Sequence, residues 1–122
     1  MDSFYRDLIL DHYKNPQNFG KINNPSASYK LHNSACGDVI QIYILAKDKK
    51  IENIKFKGEG CAISIASASL LTEHVLGKNI DEIHKMNKDD ILKLLGVTLT
   101  PTRLKCALLS LEVLHKAVHL LQ

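Results

Sequence analysis

Apolar positions along the chain change period twice. Phe4, Tyr5, Leu8, Ile9 and Tyr13 recur at helical spacing, which predicts a first helix capped by Asp2 or Ser3 and stopped by KNPQNFG. A first strand is expected from about Ser28 to Ser34. In VIQIYILA the residues Ile40, Ile42 and Ile44 share one parity, the mark of a strand with one buried side. The turn KDKK then leads to IENIKFK, with Ile54 and Phe56 on one face. Three short strands joined in this way predict an antiparallel meander with one apolar side. Beyond GEG the period becomes helical and stays so. Cys61 to Leu76 is rich in Ala, Ser, Ile and Leu, and Gly77 is a suitable stop. Asn79 and Asn87 sit where caps belong, with Asp81, Glu82, Asp89 and Asp90 in the following first turns, which predicts two short helices. A last helix starts at Thr100 and Pro101 and carries the stripe Leu104, Leu108, Leu111, Leu114 and Val118. The expected fold class is α+β: a three-stranded antiparallel sheet with helices packed on one face, as a single domain over residues 1–122.

Composition narrows the function classes. With 122 residues, 45% hydrophobic and 24% charged, the chain is long enough to bury a core without disulfide staples. The formal net charge is only +3, and its lysines are scattered apart from Lys47, Lys49 and Lys50 at the expected hairpin tip. That distribution lacks the basic patch a nucleic-acid partner would need. The N-terminus has neither the basic start nor the unbroken apolar stretch of a secretory signal, and no apolar run reaches membrane-spanning length. Three cysteines, an odd number, argue against a disulfide framework and for a reducing compartment. The expected location is cytoplasmic, or an organelle after removal of a transit peptide.

The cysteines carry the candidate chemistry. In SACGDV, Cys36 and Asp38 flank Gly37 at positions i and i+2, so in extended chain both side chains point the same way. Cys61 opens a helix, where unpaired N–H groups and the helix dipole favour thiolate. Cys106 lies in the first two turns of the last helix, about 140° from the centre of the leucine stripe, where a core-filling cysteine is not expected. Each cysteine taken alone can be read as a small buried hydrophobe, and Asp38 as a turn residue binding its own backbone. All three thiols nevertheless fall at element edges that can meet at one end of a sheet. Three thiolates and one carboxylate supply the four donors of a tetrahedral Zn²⁺, and thiolates equally suit iron-sulfur clusters. The carboxylate makes one corner of such a site the easier to exchange.

Other residues offer less. His115 and His119 stand at i and i+4, as a two-point metal grip would, but they fall within and at the edge of the leucine stripe, so packing accounts for them. Arg103 and Lys105 flank the third thiol and can be read either as charge partners for thiolate or persulfide or as a solvated basic turn.

Four ordered stretches resemble one known family, the IscU/SufU/NifU N-terminal-domain group of iron-sulfur cluster assembly proteins. FYRDLILDHYKNPQNFG is similar to the family's opening helix and turn, ACGD to its first ligand motif, GEGCAISIASASLLTE to its second and LTPTRLKCALL to its third. The resemblance implies Cys36, Asp38, Cys61 and Cys106 as metal or cluster ligands. It implies Zn²⁺ as cofactor, with iron or a transient [2Fe-2S] cluster as cargo. IscU-like chains have His before the third cysteine, whereas Lys105 stands here, as in SufU-like chains, and a protonated lysine cannot ligate a metal. SufU-like chains usually carry an insertion before the third motif, and the stretch from Cys61 to Cys106 resembles IscU in having none. The implied role is a scaffold and sulfur acceptor rather than an enzyme in its own right, taking persulfide sulfur from a cysteine desulfurase and serving apo iron-sulfur acceptor proteins. Cys36 is the expected acceptor, because it lies in a glycine-containing turn beside the replaceable carboxylate while Cys61 and Cys106 are tied to helices. LTPTR is loosely similar to IscU's chaperone-binding segment and implies a chaperone as a further partner. No nucleic acid or membrane partner is expected, and the expected state is a monomer or weak dimer. Two other classes compete: a thiol-disulfide redox protein, which would commonly show C-x-x-C spacing, and a structural zinc module for interaction, which a replaceable carboxylate and scattered charge disfavour.

Overall fold

The computed structural model describes residues 3–34 and 37–121. Their elements run α1 (Ser3–Lys14), β1 (Ala27–Asn33), β2 (Asp38–Lys47), β3 (Lys50–Glu59), α2 (Ala62–Val75), α3 (Ile80–His84), α4 (Lys88–Leu95) and α5 (Pro101–His119). The strands form one antiparallel sheet in the order β1-β2-β3. Pairing runs from Ala27 opposite Ile44 to Asn33 opposite Asp38, and from Val39 opposite Glu59 to Lys47 opposite Lys50. Asp48 and Lys49, with φ of 53° and 62°, make the two-residue turn between β2 and β3 in the left-handed geometry that matches strand twist.

Alternation gives the sheet its buried face. Ile40, Ile42, Ile44, Ile54 and Phe56 are fully buried, while Val39, Gln41, Tyr43 and Leu45 between them remain half-buried. Ile51 breaks the parity of β3 and yet is buried, because the register shifts beside Leu45: Asn53 opposes Leu45 and Ile51 opposes Ala46, so Glu52 is skipped. This bulge returns Ile51 to the inner side. Helices α5 and α2 cover that side, α5 lying on β1 and β2, and α2 on β3 with α1, α4 and α5 around it. Burial on nearly every side explains why α2 is apolar or small all round as far as Thr72, with Ser64, Ser67, Ser69 and Thr72 as buried as its aliphatic residues and only Glu73 and His74 of its last turn exposed.

Two further segments run along β3 on the side away from β2. Phe56 donates its N–H to the Asn18 carbonyl (2.9 Å) and accepts from Gly20 N–H (2.8 Å), while the Phe19 and Phe56 rings meet edge to face. Towards the hairpin, Ile51 N–H donates to the Lys78 carbonyl (3.0 Å), and the Lys49 and Ile51 carbonyls accept from Ile80 and Gly77.

The caps of α3, α4 and α5 fall where the sequence places them, while of the two caps expected for α1 Ser3 is already helical and Asp2 lies outside the described residues. Asn79 accepts from Asp81 N–H, Asn87 and Asp90 form a reciprocal capping box, and Thr100 accepts from Arg103 N–H with Pro101 following. Gly96 ends α4 at φ 70° beneath the Tyr5 ring, where a Cβ would come within 2.0 Å of ring carbon.

Helix α5 departs from expectation. Its buried residues include Cys106, Ala107, Leu109, Ser110, Val113 and Ala117 as well as Leu111, Leu114 and Val118, whereas Leu104 and Leu108 are only half-buried. The buried arc spans about 200° at 100° per residue, and the leucine stripe marks one border of it. Cys106 therefore lies inside the buried arc and is 2% exposed, contrary to the expectation that it faces away from the core. The physical reason is that α5 is covered twice, by the sheet and by α2, and small residues suffice on the second side. Among the described residues no helix is long and apolar enough to cross a membrane.

Candidate metal centre

Three of the four residues singled out by the sequence converge. Asp38 is the first residue of β2, Cys61 is the N-cap of α2, and Cys106 lies in the second turn of α5. One donor atom from each lies within 4.8 Å of the others. Cys36 lies outside the described residues. Antiparallel pairing of Asn33 with Asp38 and of Val39 with Glu59 brings the start of β2 beside the end of β3, where the chain turns into α2. The α2–α5 contact delivers the third residue.

Asp38 is completely buried, and its carboxylate is held from two sides. Oδ1 accepts from Cys61 N–H (3.0 Å) and Oδ2 from the Ser64 hydroxyl (2.5 Å). Gly60 makes this approach possible: a Cβ there would stand 2.2 Å from Asp38 Oδ1. Ser64 Oγ also lies 3.7 Å from Cys61 Sγ and 3.4 Å from the Cys106 carbonyl oxygen, so one hydroxyl touches all three converging residues. For Cys61, burial alone raises the thiol pKa, and the Asp38 charge acts in the same direction. The backbone N–H groups of Ser64 and Ile63 act against both, and the thiol lies below its ordinary value. Those amides are the unpaired donors of a helix start, even though the sulfur forms no regular capping bond.

The donor set fits a thiophilic cation. Tetrahedral zinc with Zn–S near 2.3 Å separates two sulfurs by about 3.8 Å, so the observed spacing requires the three side chains to close by about 1 Å or less. An ionised carboxylate has room for about four acceptor contacts, so Asp38 can keep both hydrogen bonds and still ligate. Its buried charge is of the kind that pairing with a cation offsets.

The weaker candidates lie elsewhere. His115 Nε2 is 3.0 Å from the Ile83 carbonyl and therefore carries a proton to donate, while His119 is exposed. Arg103 and Lys105 are exposed beside the third thiol, and Lys105 also lines a cleft of about 370 Å³ with Asn33, Ser34, Leu108 and Glu112. Sequence reasoning missed Ser64 and Gly60. The signal for Ser64 was its place three residues after Cys61, the position from which a side chain reaches back to an N-cap. For Gly60 it was a glycine directly before a candidate ligand.

Comparison with known proteins agrees with this geometry. The model of the NifU-like N terminal domain family matches residues 4–122. The chain is 39% identical to the zinc-dependent sulfurtransferase SufU of Bacillus subtilis, covering 97% of this chain and 91% of that one. That alignment runs over 135 residues, more than the 122 of this chain, so SufU carries residues absent here. The iron-sulfur cluster assembly scaffold protein IscU 1 of Archaeoglobus fulgidus is 40% identical over 114 residues, 93% of this chain and 74% of that one. Among solved structures, one described as an iron-sulfur cluster assembly scaffold for the SUF system of Fervidobacterium islandicum AW-1 superposes with a TM-score of 0.80 at 31% identity, covering 92% and 94% of the two chains. The chain therefore belongs to the NifU-like N-terminal domain family, the family of the SufU and IscU iron-sulfur cluster assembly proteins.

Proposed function

We propose that the chain is an iron-sulfur cluster assembly scaffold and sulfur acceptor, holding Zn²⁺ or a nascent [2Fe-2S] cluster through Cys36, Asp38, Cys61 and Cys106. The observation that carries this reading is the convergence of the Asp38, Cys61 and Cys106 donors, two of the three residues being buried and the third half-buried. Cys36, two residues before Asp38, supplies the fourth donor. Bound zinc would hold the thiols deprotonated at neutral pH. Lys105, exposed and directly before Cys106 in sequence, has no lone pair when protonated and stays outside the ligand set.

Sulfur arrives from a cysteine desulfurase. An acceptor thiolate attacks the terminal sulfur of the partner's cysteine persulfide, a new S–S bond forms on this chain, the old one breaks, and the partner's cysteine leaves as thiolate. Attack needs access as well as thiolate character. Cys106 is buried within a helix, and Cys61 is half-buried at the start of one. Cys36 belongs to the ACGD segment joining β1 to β2 and is the proposed acceptor. Sulfur or cluster then passes to apo iron-sulfur proteins. The exposed Pro101, Thr102 and Arg103 are the proposed contact of a chaperone.

Anaerobic purification with metal analysis and a visible spectrum tests the cargo: about one Zn²⁺ per chain, or the absorption of a cluster, is expected. Incubation with a desulfurase and cysteine, alkylation and peptide mass spectrometry tests the acceptor. Added sulfur confined to Cys61 or Cys106 would remove Cys36 from that role.

A further inference from the structure

Ser64 is fully buried on α2, one turn beyond Cys61, and is not itself among the candidate ligands. Its hydroxyl has one hydrogen to donate and two lone pairs to offer. The hydrogen goes to Asp38 Oδ2, the short contact at 2.5 Å, which leaves the oxygen facing the Cys61 sulfur at 3.7 Å. The same oxygen lies 3.4 Å from the carbonyl of Cys106. One side chain thus spans a strand, a helix N-cap and a second helix at the point where their donors meet. The next hydroxyl along α2 is arranged otherwise: Ser67 donates to the Ala107 carbonyl (2.6 Å), lies 3.2 Å from Ser110 Oγ, and among the described residues takes part in no such contact with a candidate ligand's side chain.

We propose that Ser64 is a positioning residue of the metal site, fixing the orientation of the Asp38 carboxylate and its distance from Cys61, and so setting how tightly the site holds its metal. The inference rests on the metal-binding reading above. The reasoning is geometric. Among the described residues, Cys61 N–H donates to Asp38 Oδ1 and the Ser64 hydroxyl to Oδ2. The Cys61 bond comes from backbone that the fold already fixes. Of these two, the Ser64 bond is the one made by a side chain, so removing it loosens the hold on Oδ2 and on the orientation of the carboxylate. Groups that orient metal ligands in this way typically contribute about 10–100-fold to metal affinity.

The test uses the full chain with Ser64→Ala, Ser64→Thr and Ser67→Ala. Zinc affinity is measured by competition with a chromophoric chelator, and the ligand field by the visible spectrum of the Co²⁺-loaded protein. Ser64→Ala is expected to lower zinc affinity about 10–100-fold and to shift the Co²⁺ bands. Ser64→Thr, which keeps the hydroxyl, is expected to lie nearer the wild type on both measurements. Ser67→Ala removes a buried hydroxyl from the same helix and is expected to leave both unchanged, whatever its effect on folding. Loss of affinity in Ser64→Ala and Ser67→Ala alike would make the effect one of helix packing and overturn the proposal, as would a Ser64→Ala protein matching the wild type. A wild-type chain that takes up neither metal would overturn the reading of the site itself, and the role of Ser64 with it.

Discussion

A fully buried aspartate between two thiols defines the centre of this molecule, and its surroundings leave little freedom for substitution. Gly60→Ala would set a Cβ 2.2 Å from Asp38 Oδ1 and push the carboxylate away from Cys61 N–H and the Ser64 hydroxyl. The expected cost is about 1–3 kcal/mol of overpacking, with reduced zinc per chain, read by urea unfolding and metal analysis. Cys106→Ser changes volume little, so the fold is expected to persist while zinc retention falls. A Cys106→Ser chain with full zinc occupancy would exclude that residue from the site. The candidate ligands were legible in the sequence because cysteine and aspartate in ordered motifs point to one chemistry. The hydrogen bond from Ser64 was not, because a serine among AISIASAS looks like any other small residue of a close-packed helix until its neighbours are placed.

At the scale of elements, local chemistry dominates where chain ends must be satisfied. Asn87→Ala removes one half of the α4 capping box and should cost about 1 kcal/mol, seen as an earlier urea midpoint with an unchanged slope. Phe56→Ala, at a fully buried position opposite Ile42, should cost roughly 3–5 kcal/mol. Strands, helices and caps were legible because alternation, helical spacing and Asn, Thr, Pro and Gly at boundaries each have a local cause. Two features were not. The skipped Glu52 that turns Ile51 inward depends on pairing with β2, and no periodicity within β3 announces it. The second buried side of α5 is lined with Cys106, Ala107, Ser110 and Ala117, residues too small to mark an apolar stripe, and only the approach of α2 reveals it.

At the scale of the whole molecule, the candidate ligands come from chain segments far apart in sequence, at residues 36–38, 61 and 106. A metal gripping all of them joins the sheet to both long helices, so occupancy should be felt as global stability. Free zinc at about 100 times its dissociation constant would add about 2.7 kcal/mol, on the order of 10 °C in Tm for a chain of this size. Thermal melts with and without chelator measure it, and identical curves for zinc-loaded and stripped protein would separate the site from the fold.

The segments beside β3 bear on how the molecule avoids its own kind. An outermost strand exposes a row of backbone donors and acceptors that a strand from another chain could take up, the route to edge-to-edge aggregation. Here Asn18 and Gly20 occupy that row at Phe56, Gly77, Lys78 and Ile80 occupy it around Lys49 and Ile51, and between them the Asn53 side chain takes the N–H of Ile54. Little of β3 is left to template a foreign strand. A chain cut to begin after residue 20 would uncover the groups of Phe56 together with its ring. Such a truncated protein should self-associate as concentration rises, with light scattering reporting the growth, while the full chain stays dispersed under the same conditions.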